Sequence, residues 1–184
     1  MAGHNKWTQI KHRKNIVDQK RGRLFSKLLN AISLAAKSDA NPNFNPRLKT
    51  AVQKAKTSNV PNENIDRAIK RASEENQNLE ELTLEAYGPG GAPILIEAIT
   101  DNRNRTVAEI KKIIGENKGK WADPGSVRWA FDKNTGGDDF GWRPKFNHKL
   151  GEGERLDLEK LIAAIEEHND TQSVFSNPDP THRE

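Results

Sequence analysis

YGPGGAPILIEAIT, residues 87–100, marks the point in this 184-residue chain at which the sequence pattern changes. Gly88, Pro89, Gly90 and Gly91 form a turn signal, and Ala92–Thr100 is an apolar, β-branched run. The run is too short for a typical helix, and its composition indicates a buried strand. Since helical spacing dominates the residues before it, the stretch predicts an α+β protein whose sheet begins after a helical region.

The first third of the chain has helical spacing throughout. Apolar residues recur every three or four positions in 18–37, in 46–56 and in 62–72, which gives three amphipathic stripes. Asn45 and Pro46 form a helix start, because Asn supplies a capping oxygen and Pro a preset φ. We expect an N-terminal three-helix bundle domain over residues 1–78.

After residue 100, segments with helical spacing alternate with segments that have the two-residue spacing of strands. Helical spacing returns in 104–118 and around Leu158–Ile165, whereas 127–132, 145–150 and 172–176 indicate strands. This order predicts a β-α-β-β-α-β, ferredoxin-like α/β sandwich domain over 82–177 with both helices on one face. Residues 178–184, which contain Pro178 and Pro180, are expected to form a flexible tail.

Charge is strongly polarised along the sequence. Residues 1–73 carry a net charge of +12 and residues 74–184 a net charge of −8. Such a basic region attracts polyanions and neutralises phosphates on contact, so nucleic acid is the expected partner. The alternative is an ordinary solvated helical surface, which the clustering of seven Lys and Arg within residues 1–23 makes the weaker interpretation.

Composition argues against several classes of function. The chain has no Cys, and its five His are scattered at positions 4, 12, 148, 168 and 182, so we expect no metal site. No cofactor, small-molecule substrate or catalytic residue is indicated by a motif. No apolar run approaches the roughly 20 residues that span a bilayer. We expect a cytoplasmic protein without membrane contact.

Several long collinear blocks resemble the YebC family, whose bacterial members are described as probable transcriptional regulators. The blocks are GHNKWTQIKHRK (3–14), DQKRGRLFSKLLNAISLAAK (18–37), NPRLKTAVQKAK (45–56), PNENIDRAIKRA (61–72), YGPGGAPILIEAITDNRNRT (87–106) and GSVRWAFDK (125–133). A weaker match covers 158–177. The resemblance implies a regulator of gene expression. It also implies kinship with the mitochondrial translational activator of cytochrome oxidase subunit I and with factors that help ribosomes through difficult sequences.

The chain departs from the family pattern after residue 133. Members typically carry a third domain inserted between the block GSVRWAFDK and the closing helix and strand, where this sequence has only about two dozen residues. We therefore expect the third domain to be missing, with residues 133–143 forming a hairpin in its place. Family activities that need the third domain are in doubt for this chain.

The candidate nucleic-acid contacts lie in three stretches. Cations and flat rings in 3–14 suit phosphates and exposed bases, 20–27 extends the basic patch, and 101–106 places two Arg beside a predicted helix start. The candidates are Lys6, Trp7, Lys11, His12, Arg13, Lys14, Lys20, Arg21, Arg23, Lys27, Arg103 and Arg105. Structural alternatives remain: Trp7 and Ile10 as an anchor onto the bundle, and the 101–106 stretch as a helix cap.

The expected function is therefore a non-enzymatic, nucleic-acid-binding regulator of gene expression. Its target is either duplex DNA near promoters or ribosomal RNA, with the ribosome as a further partner. The pairing of Trp7 with His12 and the lack of an evident helix-turn-helix favour RNA. Two other classes stay open, a metal-dependent nuclease and a pure protein-interaction module. The acidic domain would offer a surface for a protein partner or for self-association.

Overall fold

The computed structural model describes the backbone of residues 3–72, 78–134 and 141–179. Within these ranges it describes the side chains from residue 14 onward, except that of Asn134. The chain divides into two units, Met1–Gln77 and Asn78–Glu184. The first unit is helical and the second combines antiparallel strands with helices, so the predicted α+β class is confirmed.

Three helices form the first unit: α1 (Gly3–Ala36), α2 (Pro46–Thr57) and α3 (Asn62–Arg71). Their apolar stripes meet in one core, as the predicted three-helix arrangement requires. The buried members of that core are Ile32, Ala35, Ala36, Leu48, Ala55, Val60, Ile65 and Ala68. The burial of these side chains supplies the main stabilisation of the bundle.

Polar contacts fix how the helices of the first unit are joined. Asn45 caps α2 as predicted, because its Oδ1 accepts from the Leu48 amide at 3.0 Å. The Nδ2 of Asn45 donates to the Ala35 carbonyl at 2.8 Å and so ties the cap to the end of α1. The Ser33 hydroxyl donates to the Ala68 carbonyl, also at 2.8 Å. These bonds hold the last turns of α1 against α2 and α3.

The second unit contains six strands and two helices. In chain order they are β1 (Glu80–Tyr87), β2 (Pro93–Thr100), α4 (Arg103–Glu116), β3 (Lys120–Ala122), β4 (Phe131–Asn134), β5 (Gly141–Pro144), α5 (Glu152–Glu166) and β6 (Thr171–Ser176). A four-stranded antiparallel sheet has the order β3-β1-β2-β6, and β4 pairs with β5 in a separate two-stranded sheet.

Strand β2 lies at the centre of the unit and is covered on both faces. Ile94, Ile96 and Ala98 pack with the apolar faces of α4 and α5. Leu95, on the opposite face, packs with a second cluster that contains Val127, Phe131 and Trp142. Because both faces are buried, the strand appears in the sequence as the run ILIEAI, in which Glu97 is the single polar residue and accepts from the Trp142 indole N–H at 2.9 Å.

The predicted β-α-β-β-α-β order is wrong in three places. Strand β1 precedes β2 and pairs with it along its whole length, although no strand was expected in 80–87. Residues 128–130 form a 3-10 turn, so only the end of the expected strand at 127–132 belongs to a strand. Residues 145–150 contain no strand beyond a single bridge at His148, and the partner of β4 is instead β5. The α+β class is unaffected, and the four-stranded sheet has the antiparallel order β3-β1-β2-β6.

The segment after β6 is held in place as far as residue 179. The Asn177 Nδ2 donates to the Phe146 carbonyl at 3.0 Å, and the His148 amide donates to the Asn177 carbonyl at 2.6 Å. Asp179 donates its amide to the His148 carbonyl at 3.0 Å. Pro178 and Asp179 thus do not belong to a loose tail, because hydrogen bonds fix their backbone. The rest of the expected tail, 180–184, lies outside the described residues.

Candidate nucleic-acid interface

Helix α1 is much longer than the part of it that packs in the bundle. It has 34 residues, equivalent to about 51 Å at ~1.5 Å per residue. Among the described side chains of α1, burial is confined to the C-terminal end, at Ile32, Ser33, Ala35 and Ala36, whereas every side chain from 14 to 22 is exposed. The helix therefore presents at least two turns with no part of their circumference covered.

The decrease in burial toward the N-terminus of α1 accompanies a change of residue type along one side of the helix. Lys14 precedes Ile32 by 18 residues, about five full turns, so both lie on the same side of the helix. That side is apolar where it meets α2 and α3 and cationic where it extends beyond them. Arg21, which lies on this side as well, places its guanidinium 5.2 Å from the Phe25 ring centre. The apolar stripe thus ends at Phe25, and cations continue it.

The predicted contacts on α1 fall into two groups. Lys6, Trp7, Lys11, His12 and Arg13 lie on the described backbone of α1, but their side chains are outside the described residues. Lys14, Lys20 and Arg21 are exposed, and Arg23 and Lys27 are half-buried. Exposure of the second group is compatible with phosphate contact, and their role stays a prediction.

The described cations of α1 lie on one half of its circumference. Lys14 and Arg23 are nine residues apart, which places them on opposite sides at about 100° per residue. Lys20, Arg21 and Lys27 all fall on the same half between these two, and Lys20 and Lys27 lie within about 20° of each other. Helical geometry is therefore compatible with the single docking face that we expected. Such a face suits phosphates that approach from one side.

Arg103 and Arg105 lie in the second unit, where carboxylates pair with both. Arg103 Nη1 is 3.3 Å from Glu80 Oε2. Arg105 Nη2 is 2.8 Å from Asp170 Oδ2 and 3.0 Å from Asp101 Oδ1. Asn102 caps α4, since its Oδ1 accepts from the Arg105 amide at 3.1 Å. The cap interpretation of this stretch is thus confirmed, and the ion pairs compete with the anion-binding role that we predicted for these two residues.

Asp170 is the centre of the buried polar network around Arg105. Its carboxylate also accepts from Thr106 Oγ1, which lies 2.8 Å from Thr100 Oγ1. Burial raises the pKa of Asp170, but the bonds from Thr106 and Arg105 and the nearby positive charge outweigh it and hold the pKa below its usual value. The same Asp170 hydrogen bond raises the pKa of Arg105. The network joins the end of β2, the start of α4 and the residues before β6.

Glu85, a buried carboxylate on β1, has a role that no sequence pattern indicated. Its Oε1 accepts from the Gly125 amide at 2.6 Å, and its Oε2 accepts from the amides of Val127 and Arg128 at 2.7 and 3.1 Å. These bonds satisfy an otherwise costly buried charge and fix the loop 123–128 on the sheet. The donors lie about forty residues away in the chain, so no local pattern could have revealed them.

The loop that Glu85 holds leads to an exposed pair of aromatic rings, which the sequence analysis also missed. Trp129 is 62% exposed and Phe146 41% exposed, and their ring centres are 5.5 Å apart at an interplanar angle of 27°. The Trp129 indole N–H donates to the Ser126 carbonyl at 2.8 Å. The strand that we expected over 127–132 would have placed Trp129 on the same face as the buried Val127 and Phe131, whereas the 3-10 turn rotates it outward.

Two structural properties bear on the alternative interpretations, a metal-dependent nuclease and contact with a membrane. Among the described residues, no three His, Asp or Glu side chains are grouped so that they would hold a metal ion. None of the described helices combines the length and the apolar character that crossing a membrane requires.

The fold and the basic helix define a class of α+β proteins in which a cationic helical unit precedes an antiparallel sheet unit. Comparison with known families agrees with this class and makes it specific. The model of the TACO1/YebC protein N-terminal domain matches residues 5–75, and that of the TACO1/YebC second and third domain matches residues 79–136. The chain belongs to the TACO1/YebC family.

The chain is similar to several proteins named probable transcriptional regulatory protein. It is 50% identical over 136 residues to one from Desulfosudis oleivorans, with 72% of this chain and 55% of that protein covered. It is 52% identical over 136 residues to one from Natranaerobius thermophilus, with 72% of this chain and 54% of that protein covered. The matched region therefore spans about half the length of these curated relatives.

A solved structure resembles the fold over most of the chain. It is the crystal structure of a conserved hypothetical protein from Aquifex aeolicus, with a TM-score of 0.81 and 29% sequence identity. The likeness covers 91% of this chain and 94% of that chain.

Proposed function

We propose that this protein is a non-enzymatic regulator of gene expression that binds nucleic acid through α1. The observation that carries the proposal is the exposed stretch 14–22 of α1, which presents Lys14, Lys20 and Arg21 against one acidic residue, Asp18. Phosphate neutralisation by Lys and Arg supplies most of the affinity in such contacts. The names of the curated relatives and the expected cytoplasmic location support a role in transcription or translation.

Ribosomal RNA is the target that the residues of α1 favour over promoter DNA. Specific reading of duplex DNA needs polar side chains aimed at base edges from one face of a helix. The exposed part of α1 instead carries Lys and Arg, which contact phosphates of any sequence, and Trp7 and His12 suit the unstacked bases of folded RNA. The ribosome is therefore the proposed partner, and duplex DNA is the alternative target.

Competitive binding distinguishes the two targets. The purified protein would be tested with a ribosomal RNA fragment, random duplex DNA and a promoter duplex, and for co-sedimentation with ribosomes at two salt concentrations. We expect co-sedimentation that weakens with salt and no preference for the promoter over random duplex. A promoter preference near 10³-fold, which is typical of specific DNA-binding proteins, would refute the RNA target and support the transcriptional one.

Charge reversal tests whether α1 is the binding element. Lys11→Glu, Arg13→Glu and Lys14→Glu together should weaken binding and reduce the slope of log affinity against log salt by about two to three units. A matched variant reverses three exposed cations elsewhere in the same unit, Lys49, Lys56 and Arg67. If both variants weaken binding equally, net charge and not α1 is responsible, and the proposed interface is wrong.

The two other functional classes give different results in the same experiments. A nuclease would shorten the RNA or DNA during incubation with divalent metal ions. A pure protein-interaction module would leave all three nucleic acids unbound at low salt. Either result would overturn the proposal.

A further inference from the structure

A second contact for nucleic acid lies in the acidic unit, at the exposed rings of Trp129 and Phe146. We infer that this ring pair, named here the aromatic platform, stacks on an unpaired nucleobase of a single-stranded segment. The inference rests on the proposed nucleic-acid function and adds to it a base-contacting site outside α1.

The first argument is that the platform is both exposed and rigid. With 62% of Trp129 exposed and only one side against Phe146, the indole keeps an uncovered face. Its N–H is fixed on the Ser126 carbonyl, which also accepts the Tyr87 hydroxyl at 2.9 Å. A ring held in this way loses little conformational entropy when a base stacks on it.

The backbone beneath both rings is anchored as well. Glu85 holds the loop before Trp129 through three amide hydrogen bonds. The Asn177 side chain holds the carbonyl of Phe146, and the Lys145 amide donates to the Ala130 carbonyl at 2.9 Å. The platform is therefore part of the fixed framework of the unit.

The second argument is charge. Exposed cations directly precede both rings in the chain, Arg128 before Trp129 and Lys145 before Phe146. Arg128 lies over the buried Trp142 ring at 4.9 Å, and Lys145 Nζ is 3.3 Å from Asp132. The segment 128–149 has five Lys and Arg against three Asp, although residues 74–184 as a whole are strongly acidic. A phosphate chain beside the platform would thus meet Arg128 and, in exchange for Asp132, Lys145.

The third argument is size. Large aromatic side chains have roughly 150–250 Å² of surface, so the exposed fractions of the two rings leave an apolar patch of about 250 Å². A stable second copy or protein partner needs about 800 Å² on each side. A single base needs only one ring face, and stacking on an aromatic side chain contributes about 1–3 kcal/mol per base. Bases in a duplex are already stacked, so the platform selects single strands.

The test compares a fluorescein-labelled uridine 12-mer with a 12-base-pair RNA duplex by fluorescence anisotropy. Trp129→Ala should weaken binding of the single strand about tenfold and change duplex binding less than twofold, and Trp129→Phe should retain most of the affinity. The control is Phe44→Ala, which removes a 78% exposed ring from the helical unit. A single-stranded DNA 12-mer should respond as the RNA does, because stacking uses the base and not the sugar.

Three outcomes would overturn the inference. The first is single-strand affinity that Trp129→Ala leaves unchanged while the variant melts at the wild-type temperature. The second is an equal loss in Phe44→Ala. The third is a wild-type dimer in sedimentation velocity that Trp129→Ala dissociates, because a second copy would then occupy the platform. If Trp129→Ala melts early, Phe146→Ala replaces it under the same criteria.

Failure of this inference is distinguishable from failure of the proposed function. If the wild-type protein binds neither oligonucleotide, the nucleic-acid function itself is wrong and the platform has no such ligand. If it binds both and only the α1 charge-reversal variant weakens them, α1 is the interface and the platform inference alone fails.

Discussion

Asp170 shows how one carboxylate can determine the local stability of the second unit. It is 11% exposed, and it accepts hydrogen bonds from Arg105 and Thr106, while its own carbonyl accepts from the Ile99 amide at 2.8 Å. Asp101 contacts the same guanidinium but is 65% exposed. A buried ion pair with further hydrogen bonds is costly to break, whereas an exposed one contributes little. The two carboxylates thus form a matched pair for mutation.

We expect Asp170→Asn to lower the free energy of unfolding by about 1–3 kcal/mol at pH 7, because a charged, buried acceptor is lost. Asp101→Asn should lower it by at most about 1 kcal/mol. Urea denaturation of the two variants and the wild type measures both values. Equal effects would show that burial of Asp170 does not determine its contribution.

The pH dependence of the Asp170→Asn effect follows from the lowered pKa of Asp170. A carboxyl group with a pKa below its unfolded value of about 3.9 stabilises the fold above that pH and loses its contribution as the pH falls toward the folded pKa. The stability difference between wild type and variant should therefore be constant from pH 7 to about 5 and shrink below about 4. A difference that persists unchanged at pH 3 would contradict the assignment.

Helix α1 contains a glycine at the point where its exposed and packed parts meet. Gly22 has no atom within 4 Å of the position that a Cβ would occupy, so a larger residue fits there. Glycine within a helix costs about 1 kcal/mol relative to alanine because it leaves the backbone more freedom when unfolded. Tertiary packing does not compensate for this cost in 14–22, where the side chains are exposed.

Gly22→Ala should therefore stabilise the exposed part of α1 by about 1 kcal/mol and increase helical circular dichroism. If α1 binds as a helix, affinity for ribosomal RNA should rise about two- to fivefold, because less order has to be imposed on binding. The control is Gly115→Ala in α4, where a Cβ likewise meets nothing within 4 Å. A loss of affinity in Gly22→Ala alone would instead indicate that α1 bends at Gly22 to bind.

The helices were predictable from sequence because helical spacing and capping are local. The stripe ending in Ile32 and Ala35 and the Asn45 cap needed no distant residue. Strand β1 was missed although Leu82, Leu84 and Ala86 alternate with polar residues; the burial of Glu85, which amides of a distant loop satisfy, could not be read from the local sequence. Trp129 was placed in a strand for a similar reason: the 3-10 turn that rotates it depends on that same loop.

The candidate site was predictable in its charge but not in its geometry. Clustered Lys and Arg identified α1 from composition alone. The length of α1 that α2 and α3 cover depends on tertiary packing. The sequence therefore did not reveal that the side chains of 14–22 would be exposed. The ion pairs of Arg103 and Arg105 likewise involve carboxylates far away in the chain, at Glu80 and Asp170.

At the level of the whole molecule, the distribution of charge predicts how binding responds to salt. Residues 3–36 contain eight Lys and Arg and one acidic residue, Asp18. Each phosphate neutralised contributes about 0.9 to the slope of log affinity against log salt. At about 100° per residue, seven of the eight cations lie on one half of the circumference of α1, and only Lys11 lies outside it. A target that docks on that half would therefore give a slope of about −6.

We therefore expect a slope of about −6 for the nucleic acid that binds α1, measured by anisotropy with folded ribosomal RNA and with random duplex DNA between 50 and ~300 mM salt. The Lys11, Arg13 and Lys14 charge-reversal variant should flatten this slope by about two to three units, because these positions lie on the same α1. A slope of about −6 for ribosomal RNA with one of about −2 for duplex DNA would favour the ribosomal target, and the reverse order would favour the transcriptional one. Slopes of about −2 for both would mean that few of these cations contact phosphates, so α1 as the interface would be wrong.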